Sequence, residues 1–145
     1  MVDGKTAHLQ AEVDRIAARL NVPPIKVGVV LKNDDHNIYI DDDGRYHYDY
    51  WERGRQGFDR VGDIDEALYG FATDAAFDIV YSYSARFSPP DQDRRILLWA
   101  KQYELLNQLN PGWAKRCVRE RADQLRGWGL HEAVELLPDI PERDG

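Results

Sequence analysis

A chain of 145 residues, 43% apolar and 31% charged, is long enough to bury roughly two thirds of its unfolded surface around one core and too apolar to remain disordered. Its formal charge of −7 works against a broad phosphate-backbone surface, which needs an excess of Lys and Arg to release counterions, and favours a basic partner over nucleic acid. Cys117 is the only cysteine, which excludes an intramolecular disulfide, leaves a thiolate metal cluster without ligands, and suits a reducing compartment such as the cytoplasm.

Leu9, Val13, Ile16 and Leu20 recur at spacings of four, three and four, which predicts an amphipathic helix from about Lys5 to Asn21, ended by Pro23-Pro24. The β-branched run Ile25 to Leu31 reads as a strand with Val27 and Val29 inward, and Asn37 to Ile40 as a second strand, with Asn33-Asp34-Asp35-His36 as the turn between them. Asp41-Asp42-Asp43-Gly44 is a stronger turn signal, and a long strand follows from Arg45 to Arg53. Gly54 and Gly57 interrupt it before a shorter strand near Phe58 to Val61, completing an antiparallel meander.

Asp63 and Glu66 have capping-box spacing and predict a helix from there to about Tyr83. Its apolar residues, Leu68, Phe71, Ala75, Phe77, Ile79 and Val80, cover most of the circumference, with Asp74 and Asp78 on the wet side. After Ser88-Pro89-Pro90-Asp91 the helical spacing returns over 92–109, carrying Trp99, and Asn110-Pro111 reads as a cap followed by proline at the first helical position. The next stripe holds Trp113, Cys117 and Leu125 and stops at Gly127 and Gly129. Val134, Leu136 and Leu137 form a short apolar patch before a Pro- and acid-rich end, about 138–145, expected to fray.

The expected architecture is therefore α+β: an N-terminal helix, an antiparallel three- to four-stranded meander, then three helices packed on the sheet. No repeat and no long linker divides residues 1–145, so a single domain is expected. The first ten residues lack a secretory apolar run and nowhere do about 18 apolar residues stand together, which predicts neither export nor a membrane span. Asp63 to Asp93 holds seven acids against Arg86 alone, and Arg94 to Arg126 eight bases against three acids. Either the surface is bipolar or the two segments neutralise each other.

For metal-dependent hydrolysis or small-ligand binding the best residues are His36, Asp41, Asp43 and His47, but two of them belong to a turn that favours aspartate for its own geometry, and no EF-hand loop or HExxH pattern accompanies them. Glycine-rich phosphate loops are absent, so a nucleotide cofactor is not expected. Asp74 and Asp78 are one helical turn apart, the spacing of an acid/base pair but also of any solvated face. Cys117 lies on an apolar stripe, where a structural thiol is the commoner occupant. The strand Arg45 to Arg53 is more informative. Alternation puts Tyr46, Tyr48 and Tyr50 on one face and Arg45, His47, Asp49, Trp51 and Arg53 on the other, and whichever face is free mixes aromatic and charged groups as protein-binding surfaces do. Trp51 in the core with tyrosine hydroxyls reaching solvent is the competing arrangement.

In order along the chain, Glu52-Arg53-Gly54 ends an aromatic strand, Asp65 to Tyr69 opens a buried helix, and Asp93-Arg94-Arg95, Gln102, Leu105-Leu106 and Pro111 followed by Trp113 come after. This pattern, roughly Arg45 to Leu125, resembles the immunity protein 63 family of bacterial polymorphic-toxin systems, with Ser82 after Tyr81 where the family suggests an acid. The resemblance implies a cytoplasmic, non-enzymatic protein that binds and neutralises a cognate toxin domain. Together with the acidic turns and the acidic stripe it puts partner contacts on Asp34, Asp35, Asp41, Asp42, Asp43, Asp74 and Asp78, and the aromatic strand adds Tyr48 and Trp51; no catalytic residue, cofactor or metal is expected.

Overall fold

Every apolar position of the first predicted stripe is buried along α1 (Gly4–Leu20), together with Ala17. The computed structural model describes residues 4–32 and 35–140 and divides the chain into two compact units, Met1–Ala72 and Thr73–Gly145. In the first unit, α1 ends at Asn21, whose φ of 57° is the left-handed conformation that lets Val22 N–H return to the Ala17 carbonyl at 2.9 Å.

The expected strand Ile25 to Leu31 is not one. This segment makes no ladder, because Gly28 turns through a φ of 89° and side chains take the backbone groups a neighbouring strand would use. Gln10 of α1 accepts from Val27 N–H at 2.8 Å and donates to the Ile25 carbonyl at 3.0 Å. Gly28 N–H donates to the Ile38 carbonyl at 2.9 Å. Val27 is buried as expected; Val29 points outward.

The sheet has three antiparallel strands in the order β1 (Asp35–Ile40), β2 (Tyr46–Glu52), β3 (Arg55–Gly62). Asp35 and His36, read as turn, belong to β1. Asp41 builds the β1–β2 turn by accepting from the Asp43 and Arg45 amides at 2.9 and 3.0 Å, while Gly44 supplies the positive φ. Arg53 and Gly54, both at positive φ, form the two-residue β2–β3 connection. Gly57, read as an interruption, lies within β3 as the extra residue of a bulge: Tyr50 pairs with Phe58 and Trp51 with Gln56, and the register shifts between them.

One sheet face packs on helix. It carries Ile38 and Tyr48, and the first turns of α2 (Ile64–Phe87) lie so close that a methyl group on Gly70 would stand 2.7 Å from the Tyr48 ring. Asp63 caps α2 by accepting from Glu66 N–H at 3.0 Å. The helix outruns its predicted end near Tyr83 because nothing breaks it before Pro89-Pro90.

The second unit holds the rest of α2 with α3 (Arg94–Leu109), α4 (Pro111–Gly127) and α5 (His131–Val134). Asn110 both ends α3 and caps α4, its side chain accepting from Gly112 and Trp113 N–H. Val80, Leu98, Trp99, Leu125 and Ala133 form the core, flanked by Phe77, Leu105, Val134, Leu136 and Leu137. Buried Gln102 ties three helices, donating to the Thr73 carbonyl and accepting from Arg121 at 3.2 Å each. Trp113 is buried as well. Residues 138–140 are placed; the remainder of the predicted fraying end, 141–145, lies outside the described residues. Among the described residues no helix is long and apolar enough to cross a membrane.

Candidate functional site

The opposite face of the sheet is polar, and strand pairing assembles it. Register places Asn37 of β1 beside Asp49 of β2, and Asp49 beside Asp59 of β3; one step on, Tyr39 stands beside His47. All lie on the side away from Ile38 and Tyr48, because alternate residues point to opposite faces.

Asp49 is 1% exposed and is satisfied by three donors: Asn37 Nδ2 at 2.8 Å, Trp51 Nε1 at 3.2 Å and Gln56 Nε2 at 3.1 Å. Asn37, equally buried, passes the network on, accepting from Leu31 N–H at 2.7 Å and donating to the Leu31 carbonyl at 3.0 Å. A second cluster centres on His47, whose Nε2 lies 2.7 Å from Asp41 Oδ2 and whose Nδ1 lies 3.0 Å from Asp59 Oδ1. Tyr39 stacks on the imidazole at 4.5 Å, 6° from parallel. Burial opposes the charged ring, but the hydrogen bonds to Asp41 and Asp59 and their negative charges outweigh it and raise the His47 pKa. With a proton on each nitrogen the ring donates to both carboxylates. The bond from His47, then that from the Arg45 amide, hold Asp41 down at about 2. Tyr39 is pushed up by burial and by the charges of Asp49, Asp59 and Asp41.

These contacts decide what the cluster can do. Both His47 nitrogens are engaged, so the ring offers no lone pair to a substrate or metal. His36 lies on the other face, 4.7 Å from the Tyr50 ring, and Asp43 turns to Arg45 at 3.5 Å, so His36, Asp41, Asp43 and His47 do not converge. Among the described residues no three His, Cys, Asp or Glu are placed to hold a metal ion. What the face offers is fixed negative charge beside aromatic surface.

Of the residues read as partner contacts, Asp41 belongs to the histidine cluster and Asp42 and Asp43 are exposed in the adjoining turn. Asp35 pairs with Trp51 at the far end of the ladder, about 17 Å away at the usual rise per residue. Trp51 is half-buried under Lys32, whose ammonium is 5.1 Å from the ring centroid. Tyr48 is only 2% exposed and faces α2. Asp74 and Asp78 lie on α2 in the second unit, Asp74 half-buried and Asp78 exposed, and Asp34 lies outside the described residues. Sequence reasoning missed Asp59, Asn37, Tyr39 and Gln56. Their signal was the alternation of polar residues along β1 and β3, legible only once the pairing register is known.

An aromatic strand, a tight Arg-Gly connection, a helix opened by acids and an Asn-Pro junction between two helices now stand in fixed order. The profile of the family described as Immunity protein 63 matches residues 42–123, more than half of the chain. The chain belongs to the immunity protein 63 family. The matched region of this immunity protein spans β2, β3, α2, α3 and most of α4; α1, the segment that follows it and β1 precede the match. No curated protein and no solved structure matches the chain.

Proposed function

We propose that this immunity protein acts in the cytoplasm by binding and neutralising the toxin domain encoded beside it, without catalysing a reaction. Membership of the immunity protein 63 family carries the reading. It is supported by the chemistry of the polar sheet face, where Asp41 and Asp59 flank the His47 ring, Asp42 and Asp43 stand exposed in the adjoining turn, and Asp35 and Trp51 extend the surface. Such a face suits a basic partner, including the phosphate-binding cleft of a nuclease, and complementary charge speeds association. Asp74 and Asp78 of the second unit belong to the same proposed contact set; nucleic acid and membrane do not.

Co-expression with the neighbouring toxin domain, read as growth rescue, together with binding kinetics at two salt concentrations, tests this. Rescue, and an association rate that falls with added salt, are expected. An intact protein that neither rescues growth nor binds the toxin domain removes the reading.

A further inference from the structure

Residues 25–32 cross the outer edge of β1 from the α1 side to the polar face, fastened at Ile25, Val27, Gly28 and Leu31. Gln10 holds Ile25 and Val27, the Ile38 carbonyl holds Gly28, and the buried Asn37 amide holds both backbone groups of Leu31. Asn37 is in turn aimed by Asp49. This strap presents Val29, Val30 and Leu31 at 39, 42 and 47% exposure. Loops that only connect elements are usually polar, yet here three outward aliphatic residues lie between fastened points, the Gly28 amide on one side and, at Leu31, the buried Asn37 amide.

Resting on the proposed toxin binding, we propose that the Val29–Leu31 strap, with Trp51 beside it, is the apolar centre of the toxin interface. Its occupant is an apolar segment of the toxin domain flanked by Lys or Arg. Three observations carry this. The strap is fastened before binding, so little conformational entropy remains to be lost on association. Its neighbours Lys32 and Trp51 lie next to Asp35, and the acids of the polar face continue from there, giving the apolar centre and charged rim of a specific interface. The strap also precedes residues 42–123 that the family profile describes. It is therefore a feature of this chain that the shared profile does not account for, where contacts distinguishing one cognate toxin from another are expected.

The test compares full-length wild type with Val30→Asp, Leu31→Asp and the double variant, measuring dissociation from the neighbouring toxin domain and thermal unfolding. Dissociation should quicken by at least about tenfold for the double variant while the melting temperature holds, because a charge placed at a desolvated interface centre has no partner. Unchanged dissociation with unchanged melting overturns the inference and leaves toxin binding standing; a wild type that does not bind removes both. Should the aspartates lower the melting temperature, Val30→Ser with Leu31→Ser gives the same reading with less perturbation. Asn37→Ala adds an independent arm: the Leu31 amide should exchange faster with solvent and toxin affinity should fall, whereas faster exchange at unchanged affinity counts against a prefastened strap.

Discussion

The two faces of the sheet are built from the same three strands by different physics. On the helix side, Ile38 and Tyr48 are buried by close packing, and the approach of Gly70 to the Tyr48 ring leaves no room for a methyl group. On the polar side, Asp49, Asn37 and His47 are also buried but are held by directed bonds: three donors on Asp49, two carboxylates on His47. The first face needs volume and tolerates little change in it. The second needs specific partners, and so can present charge in a defined arrangement without collapsing around it.

Truncation should separate the faces most sharply. Tyr48→Ala removes a ring that packs against the α2 backbone and should cost about 3–5 kcal/mol in urea unfolding, the range for buried aromatic residues. Asp49→Leu keeps volume but strands the buried Asn37 amide, and should cost about 1–3 kcal/mol. Its second signature, faster exchange of the Leu31 amide, has no counterpart in Tyr48→Ala if the faces act independently.

Of the two sheet faces, it is the polar one whose His47 and Asp41 carry shifted pKa values. A raised folded-state pKa means that the charged His47 stabilises fully below its unfolded value near 6.5, and that this contribution is lost as pH climbs through the folded value. Asp41 runs the other way: held at about 2 from an ordinary 3.8, it stabilises above the ordinary value and is lost as pH falls toward 2. The melting-temperature margin of wild type over His47→Gln should therefore be widest between about pH 4 and 6.5 and narrow on both sides; a margin flat from pH 5 to 9 would show that the ring acts by packing on Tyr39 instead. The smallest expected effect is on the exposed turn, where Asp42→Lys with Asp43→Lys should change stability by no more than about 0.5 kcal/mol while slowing association with the toxin domain.

Local rules made much of this fold legible. The α1 stripe, the caps at Asp63 and Asn110 and the Asp41–Gly44 turn depend on neighbours within a few residues, and all stand where the sequence puts them. The segment Ile25 to Leu31 misled because β-branched composition signals extended backbone but not a strand partner, and the partner groups here come from the side chains of Gln10 and Asn37. The candidate site was half visible. Asp41 and His47 were singled out as chemistry-bearing, but with His36, which the parity of β1 and β2 sends to the opposite face. Asp59 joins them through pairing 12 residues away along the chain, a distance over which no local pattern operates.

The strap also bears on how the protein behaves alone. An outermost strand offers its unpaired amides and carbonyls to any extended chain that drifts past, and proteins must blunt that invitation. Here the segment after α1 takes the outward carbonyl of Ile38 for Gly28 and lets Asn37 stand in for a neighbouring backbone at Leu31. The β1 edge is thereby occupied by the chain itself without an additional strand. At the other edge, β3 carries Arg55, Asp59 and Arg60, charges that discourage stacking of like sheets. Loosening the strap would thus uncover the backbone of the β1 edge, where Asp35 at the strand's start is the strand's one residue of the Asp, Glu, Lys and Arg set, and lost solubility would be its first consequence.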